Sequence, residues 1–220
     1  MKIASRIIIV TGVLFLTLSA FGYFLWYKPK FGSVAGKQVF LFEEKKAEAN
    51  REVIARIKQK ALLVKSFIKT HEYNDETCFL IDMRLPSGKN RFFVYDLEAD
   101  SVEMAGLVTH GSGSEGESDE LAFSNTPNSY STSLGKYKVG ISYYGRFGLA
   151  YKLHGLDKTN SKAFDRFIVL HAHECVPNDE VAPLSICLSQ GCPTVSPAFL
   201  TQLKTYLDQS EKPILLWIYY

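Results

Sequence analysis

The sequence has no large excess of charge of either sign. Its 220 residues include 25 lysines and arginines and 23 aspartates and glutamates, which gives a formal net charge of +2. A chain this close to neutral lacks the strongly basic surface by which proteins bind nucleic acid, and it does not indicate a strongly acidic partner either. The composition therefore predicts a protein without a nucleic-acid partner.

Two further signals are missing. No internal repeat is evident, so the chain is not predicted to be a repeat array. The acidic, glycine-containing stretch 111–120 lacks the D-x-[DN]-x-[DN]-G spacing of a calcium-binding loop. We predict that this stretch is a flexible, solvated loop.

Charged residues are also absent from Ile7 to Tyr27, a run of 21 residues. At a rise of about 1.5 Å per residue, a helix of this length crosses a bilayer. Trp26 and Tyr27 beside Lys28 are typical of an interfacial anchor. A cleaved signal peptide is the alternative, but the apolar run is long for one and Ser19-Ala20 is a poor cleavage site. An uncleaved membrane anchor over 1–30 is therefore the favoured prediction, and basic residues at both ends leave its orientation undecided by charge.

The rest of the chain predicts a helical segment followed by a mainly β domain. The segment 31–75 contains a predicted hinge at 32–37 and a predicted helix over 42–70. This helix is expected to pack on the following domain or to lift it off the membrane. Its irregular heptads disfavour a coiled coil. A β-sandwich or barrel is predicted for 76–220. Its expected elements are strands at 79–83, 91–96, 102–109, 136–143, 149–153, 166–170 and 214–220, and a helix at 197–209 capped by Ser196.

The stretch Ser189-Gln190-Gly191-Cys192-Pro193 contains the residues expected of a thiol acyl-transfer site. A thiol nucleophile needs a base or cation, a tight turn that exposes the sulfur, and amide donors for an oxyanion. Gly191 supplies the turn, and Ser189 is expected to hydrogen-bond within it. We therefore predict that Cys192 is the nucleophile.

Two histidines follow an apolar, strand-like run and are candidates for the base. His171 and His173 are two residues apart, so on a continuing strand they face the same side. Such a pair also suits zinc, with His110, His154 or Cys192 as a third ligand. We favour His171 as the base, with no metal, and assign His173 to substrate contact.

The spacing of these residues resembles that of the L,D-transpeptidase catalytic domains (YkuD-like) that remodel bacterial peptidoglycan. Their site is a strand ending in His, about fifteen residues, and then Ser/Thr-His-Gly-Cys. Here seventeen residues separate His171 from Ser189, and the site has the Ser-x-Gly-Cys-Pro form. The resemblance covers about 76–220 and includes these upstream segments: His110–Gly113, Phe123–Asn125, Ser133–Gly135, Tyr144–Gly145 and Leu153–Leu156.

The resemblance implies a cysteine-dependent enzyme that acts on peptidoglycan stem peptides without a cofactor. It also implies a periplasmic catalytic domain at the bacterial inner membrane, and an oxyanion held by the Gly191 and Cys192 amides. Gln190 stands where the common family form has histidine, and glutamine does not transfer protons near neutral pH. A hydrolase or a non-catalytic peptidoglycan-binding module remains an alternative. Further candidates for substrate contact are Gln190, Tyr144, Arg146 and Arg166.

The four cysteines allow at most one disulfide if Cys192 stays free. Cys175 and Cys187 both lie between His171 and Cys192, so a bridge between them would fix the shape of that loop. Two buried free thiols at these positions are the equally weighted alternative.

Overall fold

The computed structural model describes residues 2–116 and 120–220. The chain forms two compact units, Met1–Ala55 and Arg56–Tyr220. Part of the acidic stretch predicted as a flexible loop, residues 117–119, lies outside the described residues.

The first unit is helical throughout its described length. Helix α1 spans Lys2–Gly22, a π-helix spans Tyr23–Gly32, and helix α2 spans Ser33–Ile68 and continues into the second unit. The predicted helix over 42–70 is thus confirmed, but the hinge predicted at 32–37 is wrong because this segment is helical. A glycine inside a helix costs only about 1 kcal/mol, which the helical residues on either side outweigh.

One helical stretch among the described residues is long and apolar enough to cross a membrane. It covers Val10–Lys28, 19 residues with a mean hydropathy of 1.5. A signal sequence near an N-terminus has the same length and composition, so the stretch is compatible with either an anchor or a signal sequence.

The C-terminal half of α2 belongs to the second unit and packs there. Ile57, Ala61 and Val64 are all buried, and their spacing of four and three residues places them on one face of the helix. Beside this face, Arg56 Nε donates a hydrogen bond to Asp82 Oδ2 at 2.8 Å. The helix therefore packs on the domain, one of the two roles predicted for it.

An eight-stranded sheet dominates the second unit, as the predicted mainly β class requires. The strands are β1 Thr77–Asp82, β2 Phe92–Asp96, β3 Ser101–Gly106, β4 Gly135–Gly145, β5 Gly148–Gly155, β6 Val169–Ala172, β7 Thr194–Val195 and β8 Leu215–Tyr219. Their order is β3-β2-β1-β8-β4-β5-β6-β7. Every predicted strand overlaps an observed one, whereas β7 was not predicted because two residues carry no periodic pattern.

The sheet curls until its two outer strands meet. Val108, just after β3, forms a bridge with Val195 of β7, and Thr109 N–H donates to Thr194 O at 2.9 Å. Within the sheet, β1–β8 and β6–β7 are parallel pairs and the other neighbours are antiparallel. This closure explains the barrel-like character, and the pairing of β7 with β6 brings the chain just before β7 next to β6.

Helix α3, Pro197–Gln209, begins directly after β7 and packs into the main core. Ser196 is its N-cap, as predicted, and accepts a hydrogen bond from Phe199 N–H at 3.2 Å. Phe199, Leu200 and Leu203 are buried among the aliphatic and aromatic side chains of the sheet. The helix thereby fixes the position of β7.

Candidate active site

Cys192 lies immediately before β7 and beside β6. The strands pair in parallel with His171 opposite Thr194, so Cys192, two residues earlier, lies beside Val169. Its Sγ is 3.5 Å from Val169 N and 3.7 Å from Phe167 O. Cys192 is only partly buried, whereas the other free cysteine, Cys78, is fully buried. Of the two, Cys192 is the thiol within reach of a substrate.

Gly191 shapes the turn that presents this sulfur. Its φ is +106°, a conformation that L side chains rarely adopt, and a Cβ there would lie 2.8 Å from Ser131 O. As predicted, Ser189 hydrogen-bonds within the turn: its Oγ accepts from Gly191 N–H at 3.1 Å. This bond occupies the Gly191 amide, which was expected to bind the oxyanion together with the Cys192 amide. Among the described residues, the amide N–H of Cys192 has no acceptor, so it is available as a donor to substrate.

The segment after β3 is hydrogen-bonded to the turn through the backbone. Ser189 N–H donates to His110 O at 2.9 Å, and Ser112 N–H donates to Ser189 O at 2.8 Å. Gly111 passes so close that a Cβ there would lie 2.9 Å from Gly191 Cα and 2.0 Å from Tyr130 O. Three chain segments therefore meet at the turn without room for side chains.

His171 is held at both ring nitrogens. Its Nδ1 lies 3.1 Å from Ala172 O, and because a carbonyl oxygen only accepts, Nδ1 carries the proton. In the neutral ring Nε2 is then the acceptor, and it lies 3.0 Å from the Thr194 hydroxyl, which donates to it. The ring of Phe147 stacks on the imidazole with 5.1 Å between centroids. No hydrogen bond joins Cys192 Sγ to an imidazole within the described part of the chain.

Burial favours the neutral form of both groups. It raises the pKa of the Cys192 thiol, an effect opposed by the Val169 N–H and by the positive charge of Arg166. Burial also lowers the pKa of His171. The hydrogen bond to Ala172 O opposes this shift, and the electrostatic effect of nearby His173 lowers the pKa further. A thiol and an imidazole that line one cavity, both favoured in the neutral form, are suited to proton transfer once a substrate lies between them.

Cys192 and His171 line one open cavity of about 970 Å³. Peptide ligands fit into spaces of this size. The lining side chains include His173, Ser189, Gln190, Arg146, Arg166, Asp165, Thr109, Thr194, Val169, Tyr130, Tyr143, Phe147 and Phe167. Most residues predicted for the site are thus brought together, although they come from segments up to 46 residues apart, from Arg146 to Cys192.

Tyr144 is placed differently from the other predicted residues. It does not line the cavity, and 82% of its surface is exposed. Neighbouring strand residues point to opposite faces, and here Tyr143 takes the inward position. Sequence reasoning also missed Thr194 and Phe147, both of which contact the His171 ring; the position of Thr194 two residues after Cys192 on a strand was the available signal.

Cys175 and Cys187 form a disulfide on the wall of this cavity. Of the two alternatives left open by the sequence, the structure therefore has the bridge. The backbone N–H of Cys175 donates to His173 Nδ1 at 3.1 Å, so the proton of the neutral His173 ring is on Nε2. The bridged loop thus fixes the tautomer of a histidine that faces the substrate cavity.

The zinc alternative requires a third ligand that the remaining histidines do not provide. His110 is buried and accepts from Arg91 at Nδ1, at 2.9 Å, while Nε2 lies 3.4 Å from Glu115. His154 stacks on Phe164 and does not line the cavity. Over residues 2–116 and 120–220, no group of three His, Cys, Asp or Glu side chains is placed to hold a metal ion.

Comparisons with known proteins identify the family of this chain. Residues 47–219 match the family model for the L,D-transpeptidase catalytic domain. Similar solved structures include an L,D-transpeptidase from Xylanimonas cellulosilytica (15% identity, 66% of this chain and 61% of that chain, TM-score 0.35). Others are an L,D-transpeptidase from Mycobacterium tuberculosis (12%, 66% and 58%, 0.34) and the carbamoyl enzyme of Ldtfm with avibactam (12%, 67% and 50%, 0.39).

This chain spans about half to three-fifths of the length of those solved chains. No curated protein sequence matches it. The family match, however, extends over most of the 220 residues and includes both His171 and Cys192. The chain therefore belongs to the L,D-transpeptidase catalytic domain family.

Proposed function

We propose that this protein is a cysteine-dependent L,D-transpeptidase that cross-links peptidoglycan stem peptides through a thioester on Cys192. The observation that carries the proposal is the arrangement of Cys192 and His171 on adjoining segments of one open cavity. Membership of the family supports the substrate class. The unpaired N–H of Cys192 supports acyl transfer in particular, because a tetrahedral intermediate needs a donor for its oxyanion.

The first half-reaction transfers the donor peptide to the enzyme. His171 Nε2 releases the hydrogen bond from the Thr194 hydroxyl and accepts the thiol proton of Cys192. The sulfur then attacks the carbonyl carbon of the third stem residue, a diamino acid. The Cys192 N–H stabilises the oxyanion. The imidazolium then returns its proton to the departing amine of the terminal D-alanine, which leaves a thioester.

The second half-reaction determines whether the enzyme is a transferase or a hydrolase. An amine of a neighbouring stem attacks the thioester, its proton passes to His171, and the thiolate is expelled with formation of a 3→3 cross-link. Water at the same position gives carboxypeptidation instead. His173, Gln190 and Arg146, which line the cavity, are the proposed contacts of the two peptides.

We further propose that the apolar helical stretch anchors the enzyme in the bacterial inner membrane, with the catalytic domain in the periplasm. Its length and composition support a single crossing. The substrate class supports the location of the catalytic domain, since peptidoglycan lies outside the cytoplasm.

Mass spectrometry of the intact protein and its products tests the proposal directly. The chain, in detergent, is incubated with a disaccharide-tetrapeptide beside a Cys192→Ala variant. We expect an acyl adduct on the wild type with release of D-alanine, and no adduct on the variant. A dimeric product identifies the transferase, and a tripeptide product identifies the hydrolase.

A folded wild-type sample with a titratable thiol that gives no adduct and no product would contradict catalysis on this substrate. Retained binding of the tetrapeptide in that sample would identify a peptidoglycan-binding module. A variant that still forms adduct would exclude Cys192 as the nucleophile.

A further inference from the structure

Arg166 lies in the turn before β6 and is held by a single neighbouring segment, residues 124–133. Its Nη1 donates to Ser124 O at 2.8 Å and to the Ser133 hydroxyl. Its Nη2 donates to Ser131 O at 2.6 Å and to Ser129 Oγ at 3.4 Å. One guanidinium thus organises four acceptors, which is the role that its planar set of donors suits best.

This arrangement touches the turn that carries the nucleophile. An added Cβ at Gly191 would lie 3.3 Å from Arg166 Nη2 and 2.8 Å from Ser131 O. Arg166 Nη2 and Ser131 O therefore occupy the space that a side chain at position 191 would need, next to the backbone just before Cys192. We expect a change at Arg166 to alter the surroundings of this turn.

The acceptors of Arg166 are all neutral. Carbonyl and hydroxyl oxygens fix the guanidinium but do not cancel its charge, and within the described residues no carboxylate forms an ion pair with it. Arg166 also lines the cavity beside Cys192. An uncancelled positive charge near a half-buried thiol favours the thiolate over the thiol.

We propose that Arg166 is a positioning residue whose fixed positive charge stabilises the thiolate of Cys192 while its hydrogen bonds hold residues 124–133 against the active-site turn. This assigns the guanidinium to the enzyme's own nucleophile, where the sequence had indicated a contact to substrate. The role in turnover rests on the proposed function, but the effect on the sulfur does not.

Several other titratable or charged groups line the cavity or interact electrostatically with Cys192. They are Asp165 beside Arg166, His171 and His173 at the end of β6, Tyr143 and Arg146 from the β4–β5 hairpin, Tyr130 from the 124–133 segment, and Tyr137 from β4. Arg146 is the other arginine of the cavity, but it is exposed and lies over the Phe147 ring at 5.5 Å. Replacing Arg146 therefore serves as the matched control, because it removes a positive charge from the same cavity but not from beside the turn.

The test is the pH dependence of alkylation of Cys192 by iodoacetamide in the full chain. The disulfide removes two cysteines and Cys78 is buried, so the native protein reports on Cys192. We expect Arg166→Gln to raise the midpoint by about one pH unit, which is about a tenfold slower reaction below the midpoint. Arg166→Lys, Ser133→Ala and Arg146→Gln keep the charge beside the turn and should leave the midpoint within about 0.3 units.

A folded Arg166→Gln protein with the wild-type midpoint would overturn the proposal, and so would an equal shift in Arg166→Lys. If Arg166→Gln does not fold, the test is made on the wild type, by comparing the rates at which anionic iodoacetate and neutral iodoacetamide alkylate Cys192. We expect the ratio of the iodoacetate rate to the iodoacetamide rate to be higher for the protein than for N-acetylcysteine. An equal or lower ratio contradicts the proposal. Neither reagent involves peptidoglycan, so failure here is distinguishable from failure of the proposed function.

Discussion

Gly191 is restricted both by its backbone conformation and by the atoms around it. Its positive φ is unfavourable for any L side chain, and the space for a Cβ is occupied by a backbone carbonyl oxygen, Ser131 O at 2.8 Å. A carbonyl of a tightly held segment cannot move aside as the end of a flexible side chain can. The position therefore couples the shape of the turn to residues 124–133.

We expect Gly191→Ala to lower the free energy of unfolding by about 1–3 kcal/mol, because it adds both backbone strain and a clash. Acyl-enzyme formation should fall by at least about tenfold, since displacement of the turn moves the sulfur. Urea denaturation and adduct formation by mass spectrometry measure the two effects. Gly116→Ala is the control, because its Cβ meets nothing within 4 Å; equal effects in both variants would contradict the argument.

His110 gives the domain a pH dependence. Burial lowers its pKa below the ordinary value of 6.5, and the positive charge of Arg91 lowers it further, while Glu115 opposes the shift. The unfolded chain then binds more protons than the folded chain below about pH 6.5. The stability due to neutral His110 is present above the unfolded pKa and is lost as the pH falls through the folded pKa.

We therefore expect the free energy of unfolding to decrease between pH 7.5 and about pH 5. His110→Gln keeps a donor and an acceptor for Glu115 and Arg91, and should make this decrease smaller. His154 and His171, whose pKa values burial also lowers, should leave part of it. Urea titrations of both proteins across this range provide the measurement, and identical slopes would exclude His110 as a contributor.

Among the elements, α2 shows most directly how a sequence pattern becomes a packed surface. Ile57, Ala61 and Val64 recur at helical spacing and are buried, while Leu62 on the same helix is 62% exposed. Some of these apolar residues are buried and Leu62 is exposed because only one face of α2 packs on the domain. Their types alone do not distinguish them.

Ile57→Ala should lower the free energy of unfolding by about 2–5 kcal/mol, because it leaves a cavity between α2 and the domain. Leu62→Ala, which removes an equally large but exposed side chain, should change it by less than about 0.5 kcal/mol. Chemical denaturation of the two variants gives the comparison. Similar losses in both would mean that α2 does not pack through the face defined by Ile57.

Elements with a repeating pattern were predictable, and those without one were not. The strands from β1 to β6, β8 and α3 have the apolar runs or caps that identify them. The bounds of α3 are as predicted, and the ends of the strands shift by at most three residues. Strand β7 has only two residues, and it exists because β6 and the segment after β3 both offer it partners. The predicted hinge failed for the opposite reason, since local glycines were outweighed by helix on both sides.

At the scale of the whole molecule, the proposed membrane anchor predicts where the protein is found. We expect the expressed chain to be found in the membrane fraction with its full mass, to resist extraction by high salt and to dissolve in detergent. Replacement of Leu14 and Leu16 by lysine should abolish membrane association, because charges at the centre of a span are costly. A soluble product with a reduced mass would identify a cleaved signal peptide instead.

The sequence by itself determined the residue types and local patterns of this protein. A glycine before Cys192, histidines after an apolar run and an uncharged run of 21 residues are visible without a structure, since each depends on neighbours in the chain. The glycine and the histidines were sufficient to predict a thiol site, and the short apolar runs after residue 78 to predict a mainly β domain.

Only the tertiary structure decided which of those residues meet. The pairing of β7 with β6 brings Cys192 beside β6 and Thr194 opposite His171, and the bridge between Val108 and Val195 joins β7 to the segment after β3. Arg166 binds a segment that lies 33 to 42 residues earlier in the sequence. Contacts over such separations depend on the packing of the whole sheet, and no local pattern of side chains encodes them.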